Sequence, residues 1–203
     1  MILIQRVLML LLLTVALTPS VYPALSKQIV YRYDDHRYLV LVGHRCQGVV
    51  WYVDNKRNIK TEVTSSSFRL FLKPYIHPSE RYIAITDYDA SFFYVSRDYG
   101  QNFEIVSYAP GGGAEMYKGF EPLPDDVLSF TVVNDQGFIQ TKQGYIYLSS
   151  KPFGDRWGLR YMALNAIPRL IYRDHPNFQN MPTSVPEVKD YKGWTHMRCD
   201  PNK

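Results

Sequence analysis

The chain has 203 residues, with 23 Lys and Arg against 19 Asp and Glu, and a formal net charge of +4. This charge is small and no Lys/Arg run accompanies it, so the composition gives no support for a nucleic-acid-binding protein. The length allows one domain with a sizeable core and does not require a second.

The first 26 residues have the pattern of a cleavable signal peptide. Arg6 precedes an apolar run over residues 7–17, which is shorter than the roughly 20 residues that a membrane-spanning helix needs. Residues 24–26 place Ala and Ser at the −3 and −1 positions of a cleavage site, and Thr18 and Ser20 offer a second candidate site. The alternative is an uncleaved membrane anchor. We predict a signal peptide over 1–26 and an exported, β-rich domain over 27–203 with no stable membrane insertion after cleavage.

The remaining sequence is a series of short aromatic and β-branched runs separated by turn residues, which is typical of antiparallel strands. No segment between residues 27 and 155 shows a helical period. Turn residues at 134–137 and 142–144 favour tight hairpins. We therefore predict an all-β fold, an antiparallel meander of hairpins. The predicted strands are 28–33, 37–42, 47–53, 58–63, 68–72, 81–86, 91–95, 104–108, 127–133, 137–141 and 145–149.

Two regions depart from this pattern. Residues 109–126 contain three consecutive glycines and three prolines, and a loop of this length in a compact domain is usually functional or disordered. After Pro152 the alternation fades: 157–164 is a possible strand, and 167–172 a short strand or a helical turn. The tail from Asp174 is expected to be irregular and to lie on the surface.

The turn at residues 96–103 resembles the Asp-box, Ser-x-Asp-x-Gly-x-x-aromatic, of sialidase-like β-propellers. In such a turn the Asp carboxylate accepts backbone N–H groups, Gly takes a left-handed conformation and the aromatic residue packs beneath. In those families the motif is structural, so it predicts a hairpin that is partly propeller-blade-like and implies no activity. The chain is too short for a full propeller, whose blades take roughly 40–50 residues each.

Two cysteines occur, Cys46 and Cys199. In an exported chain an isolated pair is most often a disulfide. A tetrahedral zinc site is the alternative, because His44 and His196 lie close to the two cysteines in sequence and complete a zinc ligand set. We favour the disulfide and predict no metal and no cofactor.

Two acidic clusters, Asp34-Asp35-His36 and the Asp87/Asp89 pair, have residue types that bind metals or act as acids and bases. Each lies where a strand is expected to end, and Asp commonly caps backbone donors at such turns. The sequence also lacks a Gly-x-Ser-x-Gly elbow, a His-Glu-x-x-His pair, a phosphate-binding loop and a Cys-x-x-Cys motif. We therefore predict no catalytic residues.

Tyrosine is frequent, with 17 residues. Aromatic side chains pack well on pleated sheets, and tyrosine is also enriched at protein-binding surfaces. The sequence does not separate these two uses.

Five segments together resemble a known family. Segments 33–38 (YDDHRY), 71–82 (FLKPYIHPSERY), 108–113 (YAPGGG), 132–138 (VVNDQGF) and 193–201 (GWTHMRCDP) resemble immunity proteins that Gram-negative bacteria carry against type VI secretion phospholipase effectors. The resemblance runs through most of the chain after the signal segment, in order. It implies a periplasmic protein without enzymatic activity that binds a secreted lipase effector and occludes it.

A tight inhibitor often fills a groove with a pre-organised loop built around aromatic anchors. The long loop carries Met116, Tyr117 and Phe120, which we select as candidate partner-binding residues. The alternative is ordinary packing of these side chains against the sheet.

Two other functions stay open from the sequence. The Asp-box resemblance allows an exported glycan-binding or sialidase-like protein, and the export signal allows an envelope assembly factor.

Overall fold

A computed structural model describes residues 25–65, 67–107, 122–144, 146–149, 161–163 and 184–203. These residues form three β-sheets and a short 3₁₀ turn, Pro124–Asp126. Within the described ranges, no helix has the length and apolar character needed to cross a membrane. The strands are β1 (Ser26–Arg32), β2 (Arg37–His44), β3 (Gln47–Asp54), β4 (Ile59–Glu62), β5 (Phe68–Arg69), β6 (Tyr75–Ile76), β7 (Ile83–Thr86), β8 (Phe92–Ser96), β9 (Glu104–Ser107), β10 (Val127–Val133), β11 (Gln136–Thr141), β12 (Ile146–Ser149) and β13 (Tyr161–Ala163).

The predicted all-β, antiparallel fold is confirmed. Sheet 1 has the order β1-β2-β3-β4, with β5 also paired to β3; sheet 2 has the order β13-β12-β11-β10-β6; and sheet 3 has the order β7-β8-β9. Most paired strands follow one another along the chain, so most pairing is local in sequence. The eleven predicted strands each match an observed one, with ends that differ by a few residues.

The β2–β3 hairpin shows how the turn residues set the register. Arg45 and Cys46 both have left-handed backbone angles, with φ of 49° and 63°, as in the two-residue turns whose twist matches that of the strands. Pairing then runs from His44 opposite Gln47 to Arg37 opposite Asp54 without interruption. This register places the alternating residues of both strands on common faces.

A β-bulge in β1 adapts sheet 1 to the core. The register shifts between Ile29 and Tyr31, and Val30 and Tyr31, although adjacent, are both fully buried. A regular strand would point one of them outward. The bulge therefore contributes two consecutive side chains to the core.

One strand was missed by the sequence analysis. β6 is two residues long and pairs in parallel with β10, with Tyr75 opposite Phe130. Pro74 and the turn residues after Ile76 favour a turn in this segment, and a parallel pair between distant segments leaves no local pattern in the sequence. β6 therefore joins sheet 2 through tertiary packing.

The C-terminal segment is irregular, as predicted, but it does not lie loosely on the surface. The Trp194 and Arg198 amides donate to the carbonyls of Arg32 and Val30 in β1, each at 2.8 Å, and the Tyr75 amide of β6 donates to the Thr195 carbonyl at 2.8 Å. Residues 194–198 therefore bridge sheets 1 and 2.

The tyrosines mainly build the core. Seven of those with described side chains are buried, namely Tyr31, Tyr33, Tyr52, Tyr75, Tyr82, Tyr94 and Tyr147. Two of these hydroxyl groups bond backbone carbonyls inside the protein: the Tyr31 hydroxyl donates to the Tyr75 carbonyl at 2.9 Å, and the Tyr75 hydroxyl donates to the Ala84 carbonyl at 2.5 Å. Most of the tyrosines whose side chains the structure describes therefore serve packing in the core.

Candidate functional site

A groove lies on the solvent-facing side of sheet 1. Its volume is about 640 Å³. β1 to β4 all contribute to its walls. The apolar side chains that line it are Tyr38, Val40, Val42, Trp51, Val53 and Ile59.

Strand register explains this groove. Leu39 and Leu41 of β2 point into the core, so the intervening residues of β2 point outward. Across the sheet, Val40 lies opposite Trp51 of β3, and Val42 lies opposite Val49. We call the half-exposed set Tyr38, Val40, Val42, Val49, Trp51 and Val53 the outer face of sheet 1.

Cationic side chains surround the outer face of sheet 1. The Lys60 ammonium lies 5.3 Å from the Trp51 ring centroid, and the Arg32 guanidinium lies 5.3 Å from the Tyr38 centroid. Lys27, which is exposed, lies opposite Val42. Cations at these distances are attracted to the ring faces, so the groove presents aromatic surface with positive charge at its margins.

The sequence contained a signal for this face that the strand prediction did not use. β2 and β3 are apolar at both alternating sets of positions, as in Leu39-Val40-Leu41-Val42. An antiparallel strand with one solvated face normally alternates apolar and polar residues. Apolar residues on both faces indicate a second covered face, or an interaction surface.

The structure joins Cys46 and Cys199 in a disulfide, with Cα atoms 5.8 Å apart. Both sulfurs are therefore engaged, and neither is available as a thiolate ligand for the zinc site considered with His44 and His196. The His196 ring instead hydrogen-bonds the Thr195 hydroxyl at 3.0 Å. The favoured disulfide agrees with the structure.

The 96–103 turn has the contacts expected from its sequence. The Asp98 carboxylate accepts the Asn102 amide at 3.0 Å, and the Gly100 amide donates to the Ser96 hydroxyl at 2.8 Å. Gly100 has φ of 91°, and a Cβ there would lie 2.2 Å from the Tyr52 ring. These groups hold the β8–β9 hairpin against the core. The likeness to the Asp-box remains a resemblance in sequence, and it implies no enzymatic activity.

Asp34 acts as a turn residue. Its carboxylate accepts the amides of His36 and Arg37 at 3.0 and 2.7 Å, and its other oxygen lies 2.6 Å from the Arg37 Nε. Potential ligand atoms of Asp34, Asp35 and His36 lie within 4.8 Å of one another. Because the Asp34 oxygens already accept three protein hydrogen bonds, the cluster is explained by the turn between β1 and β2.

The second acidic pair also forms a turn, after β7. The Ala90 amide donates to the Asp87 carbonyl at 3.2 Å, and the Ser91 amide donates to the Asp89 carboxylate at 3.0 Å. The Asp87 side chain is buried, and this burial, together with its hydrogen bond to Asp89 and the charge of Asp89, raises the pKa of Asp87 to about 7. The pKa of Asp89 is lowered, because its hydrogen bonds with Asp87 and Ser91 outweigh the opposing effect of burial.

We predict that Asp87→Asn stabilises the protein above pH 7. A carboxyl group whose pKa is raised on folding favours the folded state at low pH, and this contribution is lost as the pH rises through about 7. Asn keeps a neutral side chain at every pH. We therefore compare the free energy of unfolding of the variant minus that of wild type at two pH values. This difference should be larger at pH 8 than at pH 5, by on the order of 1 kcal/mol.

Urea denaturation of both proteins at pH 5, 6, 7 and 8 measures this difference. Asp125→Asn, which removes an exposed carboxylate, is the control and should show the wild-type pH profile. A constant difference between Asp87→Asn and wild type across this range would contradict a proton held by Asp87 in the folded state.

The candidate partner-binding residues Met116, Tyr117 and Phe120 lie outside the described residues. The long loop that contains them therefore stays a prediction, as does the possible strand or helical turn at 167–172. The other possible strand, 157–164, contains β13.

A disulfide-linked β scaffold with an apolar groove on an outer face fits the class of proteins that act by binding through a surface. Residues 23–131 match the family model described as the T6SS Tli3 immunity protein, where T6SS is the type VI secretion system. The matched segment is more than half of the chain. The chain therefore belongs to the Tli3 family of type VI secretion immunity proteins, whose function is protection against a partner effector protein.

The other comparisons add little. None of the curated proteins matches the chain. One matching solved structure, titled "YCF48 bound to D1 peptide", is 14% identical, with a TM-score of 0.38. The match covers 70% of this chain and 45% of that one, so this chain spans less than half of the YCF48 chain. A TM-score this low supports no inference about fold or function.

Proposed function

We propose that the protein is a periplasmic immunity protein that binds a type VI secretion phospholipase effector and occludes it without catalysing a reaction. The family match over residues 23–131 is the observation that carries this proposal. The lipase identity of the effector comes from the resemblance of the five sequence segments. After loss of residues 1–26, the single β-rich domain over 27–203 is the inhibitor.

Two features support action in the periplasm. Residues 1–26 have the pattern of a signal peptide, and an effector that attacks phospholipids from the periplasmic side has to be blocked in that compartment. The Cys46–Cys199 disulfide suits the same compartment, because disulfides persist where the environment is oxidising.

A protection experiment tests the proposal. Susceptible cells receive the effector encoded beside the gene for this chain, directed to the periplasm, together with either the full chain or a variant lacking residues 1–26. We expect the full chain to restore survival by at least about two orders of magnitude and the truncated variant to give no protection. Truncated chain fused to an unrelated export signal is the control and should protect.

Phospholipid hydrolysis by the purified effector gives the second readout. Hydrolysis should fall in proportion to added protein and stop at equimolar concentration when binding is tight. Protection by the truncated variant would show cytoplasmic action and overturn the periplasmic proposal. A cognate effector without phospholipase activity would overturn the lipase assignment, and hydrolysis that continues at excess protein would overturn occlusion.

The alternatives receive no specific support from the structure. The groups of the 96–103 turn that suggested a glycan-related protein are engaged in the turn itself. An envelope assembly factor would be indicated if capture from the native envelope recovered assembly machinery and no effector.

A further inference from the structure

We propose that the outer face of sheet 1 is the surface that holds the effector, and that it receives a protruding apolar segment of the effector flanked by Asp and Glu. The inference rests on the proposed function in that the occupant is the effector. It adds the location of the interface and the chemistry of the partner.

The composition of the outer face of sheet 1 differs from that of a solvated sheet face. The other face of sheet 1 packs on the core, so polar residues would be expected on the solvent side. The structure instead places Trp51, Val40 and Val42 at its centre, all half-exposed. A contiguous apolar patch that leaves side chains partly exposed marks an interaction site.

The shape of the groove also suits a bound segment. The groove volume of about 640 Å³ lies within the roughly 300–1,000 Å³ of sites that enclose bound groups. Trp51 and Tyr38 line the groove, and a cationic side chain lies 5.3 Å from the ring centroid of each. Tryptophan and tyrosine are over-represented among the residues that dominate binding energy, particularly where surrounding groups exclude water.

The charged side chains around the groove indicate the chemistry of its occupant. Lys27, Arg32 and Lys60 lie at the margins of the outer face, and Glu62 is the carboxylate that lies opposite Trp51. Asp54 also lines the groove, but its side chain is fully buried and paired with Arg57 at 3.0 Å. The exposed charge of the margin is therefore net positive, which complements an apolar segment with acidic flanks.

The same charge argues against two other occupants, a second copy of the chain and the segments around β13. In a symmetric dimer the face would meet itself, and its cationic margins would meet each other. Residues 150–160 and 164–183, which lie outside the described residues, together carry five Lys and Arg against two Asp, so their charge does not complement the margin either. The groove-lining positions, 27–60, all lie inside the segment that the family model matches.

The test is the affinity of the protein, without residues 1–26, for the effector encoded by the neighbouring gene. Trp51→Ala should weaken binding by at least about 30-fold, in line with truncation of a central aromatic anchor. The double variant Lys27→Glu/Lys60→Glu should weaken binding by at least about 10-fold at low salt, mainly by slower association, and the effect should shrink as salt screens the charges.

Two matched controls lie away from the groove. Tyr88→Ala removes an exposed aromatic ring that also lies under a cation, with Arg69 4.2 Å from its centroid. Lys189→Glu/Lys192→Glu makes the same charge change at exposed positions of the C-terminal segment. Both controls should bind within about 2-fold of wild type, as expected for sites outside an interface. Thermal unfolding of each variant shows whether it is folded; the lysine variants change exposed side chains and test the inference even where Trp51→Ala is unstable.

The outcomes separate the two proposals. Failure of the wild-type protein to bind or block the effector would overturn the proposed function and the inference with it. Tight binding by wild type that is unchanged in folded groove variants would overturn the inference alone. If Trp51→Ala instead abolished self-association and left effector binding intact, the face would be a dimer interface and the inference would be wrong.

Discussion

Replacing both cysteines, as Cys46→Ser/Cys199→Ser, should lower the free energy of unfolding by about 3–5 kcal/mol. The disulfide joins residues 153 positions apart, so it removes much of the freedom of the unfolded chain, and long loops gain most in the chain-entropy description. It also attaches the C-terminal segment, whose amides pair with β1. Without it, that segment depends on its hydrogen bonds and on the buried Met197 side chain.

Urea denaturation of wild type and the double serine variant measures the loss, and wild type treated with a thiol reductant provides the matched comparison. Hydrogen exchange adds a local readout, because the Trp194 and Arg198 amides should lose protection before those of β2 and β3. A variant with the wild-type urea midpoint and unchanged protection of these two amides would show that the C-terminal segment docks without help from the disulfide.

Local elements were predictable from the sequence because local residues determine them. The β10–β11 hairpin follows from Asn134 and Asp135, which both adopt positive φ angles of 51° and 53°, and short polar residues tolerate this conformation better than β-branched ones. The β8–β9 turn follows from Ser96, Asp98 and Gly100 in the same way. Each of these turns is determined by residues within about five positions of one another, so the local sequence pattern is sufficient to predict it.

Elements held by distant partners were not predictable in the same way. β6 exists because Tyr75 and Ile76 pair with β10, and the C-terminal segment is ordered by contacts to β1 and β6. Neither segment has a strong strand pattern of its own. Likewise, the tyrosines of the core cannot be distinguished by composition from tyrosines of a binding surface, because the same side chain suits both environments.

The segments that carried the family resemblance meet at one junction of the sheets. Ser79 makes the connection: its carbonyl accepts from Arg37, and its hydroxyl accepts the Asp135 amide at 3.2 Å. Nearby, the Tyr75 amide donates to the Thr195 carbonyl. Segments 33–38, 132–138 and 193–201 thus each contact segment 71–82. These contacts stabilise the scaffold, and Tyr38 of the first segment also lines the groove.

Arg37 is the central cation of that junction, and Arg37→Met should lower the free energy of unfolding by about 3–5 kcal/mol. Its guanidinium is almost fully buried and bonds the Asp34 carboxylate at 2.6 Å and the Ser79 carbonyl at 2.6 Å. Methionine fills similar space but donates no hydrogen bond. The variant would leave the Asp34 charge without its cationic partner and the Ser79 carbonyl without its donor, and unsatisfied buried groups are costly.

A double-mutant cycle separates the loss of the pair from the cost of the charge left behind. Asp34→Asn/Arg37→Met should be at least as stable as Arg37→Met, because Asp34→Asn removes the uncompensated carboxylate.

The control is Lys189→Met. It breaks an exposed ion pair with Glu187, 3.7 Å apart, and should change the free energy of unfolding by less than about 1 kcal/mol. If Arg37→Met cost no more than Lys189→Met, the junction would depend on the surrounding tyrosine packing, and the Asp34–Arg37–Ser79 connection would be incidental to the fold. A large loss in Arg37→Met that Lys189→Met does not share would instead show that this buried cation stabilises the contact between the start of β2 and Ser79, which precedes β7.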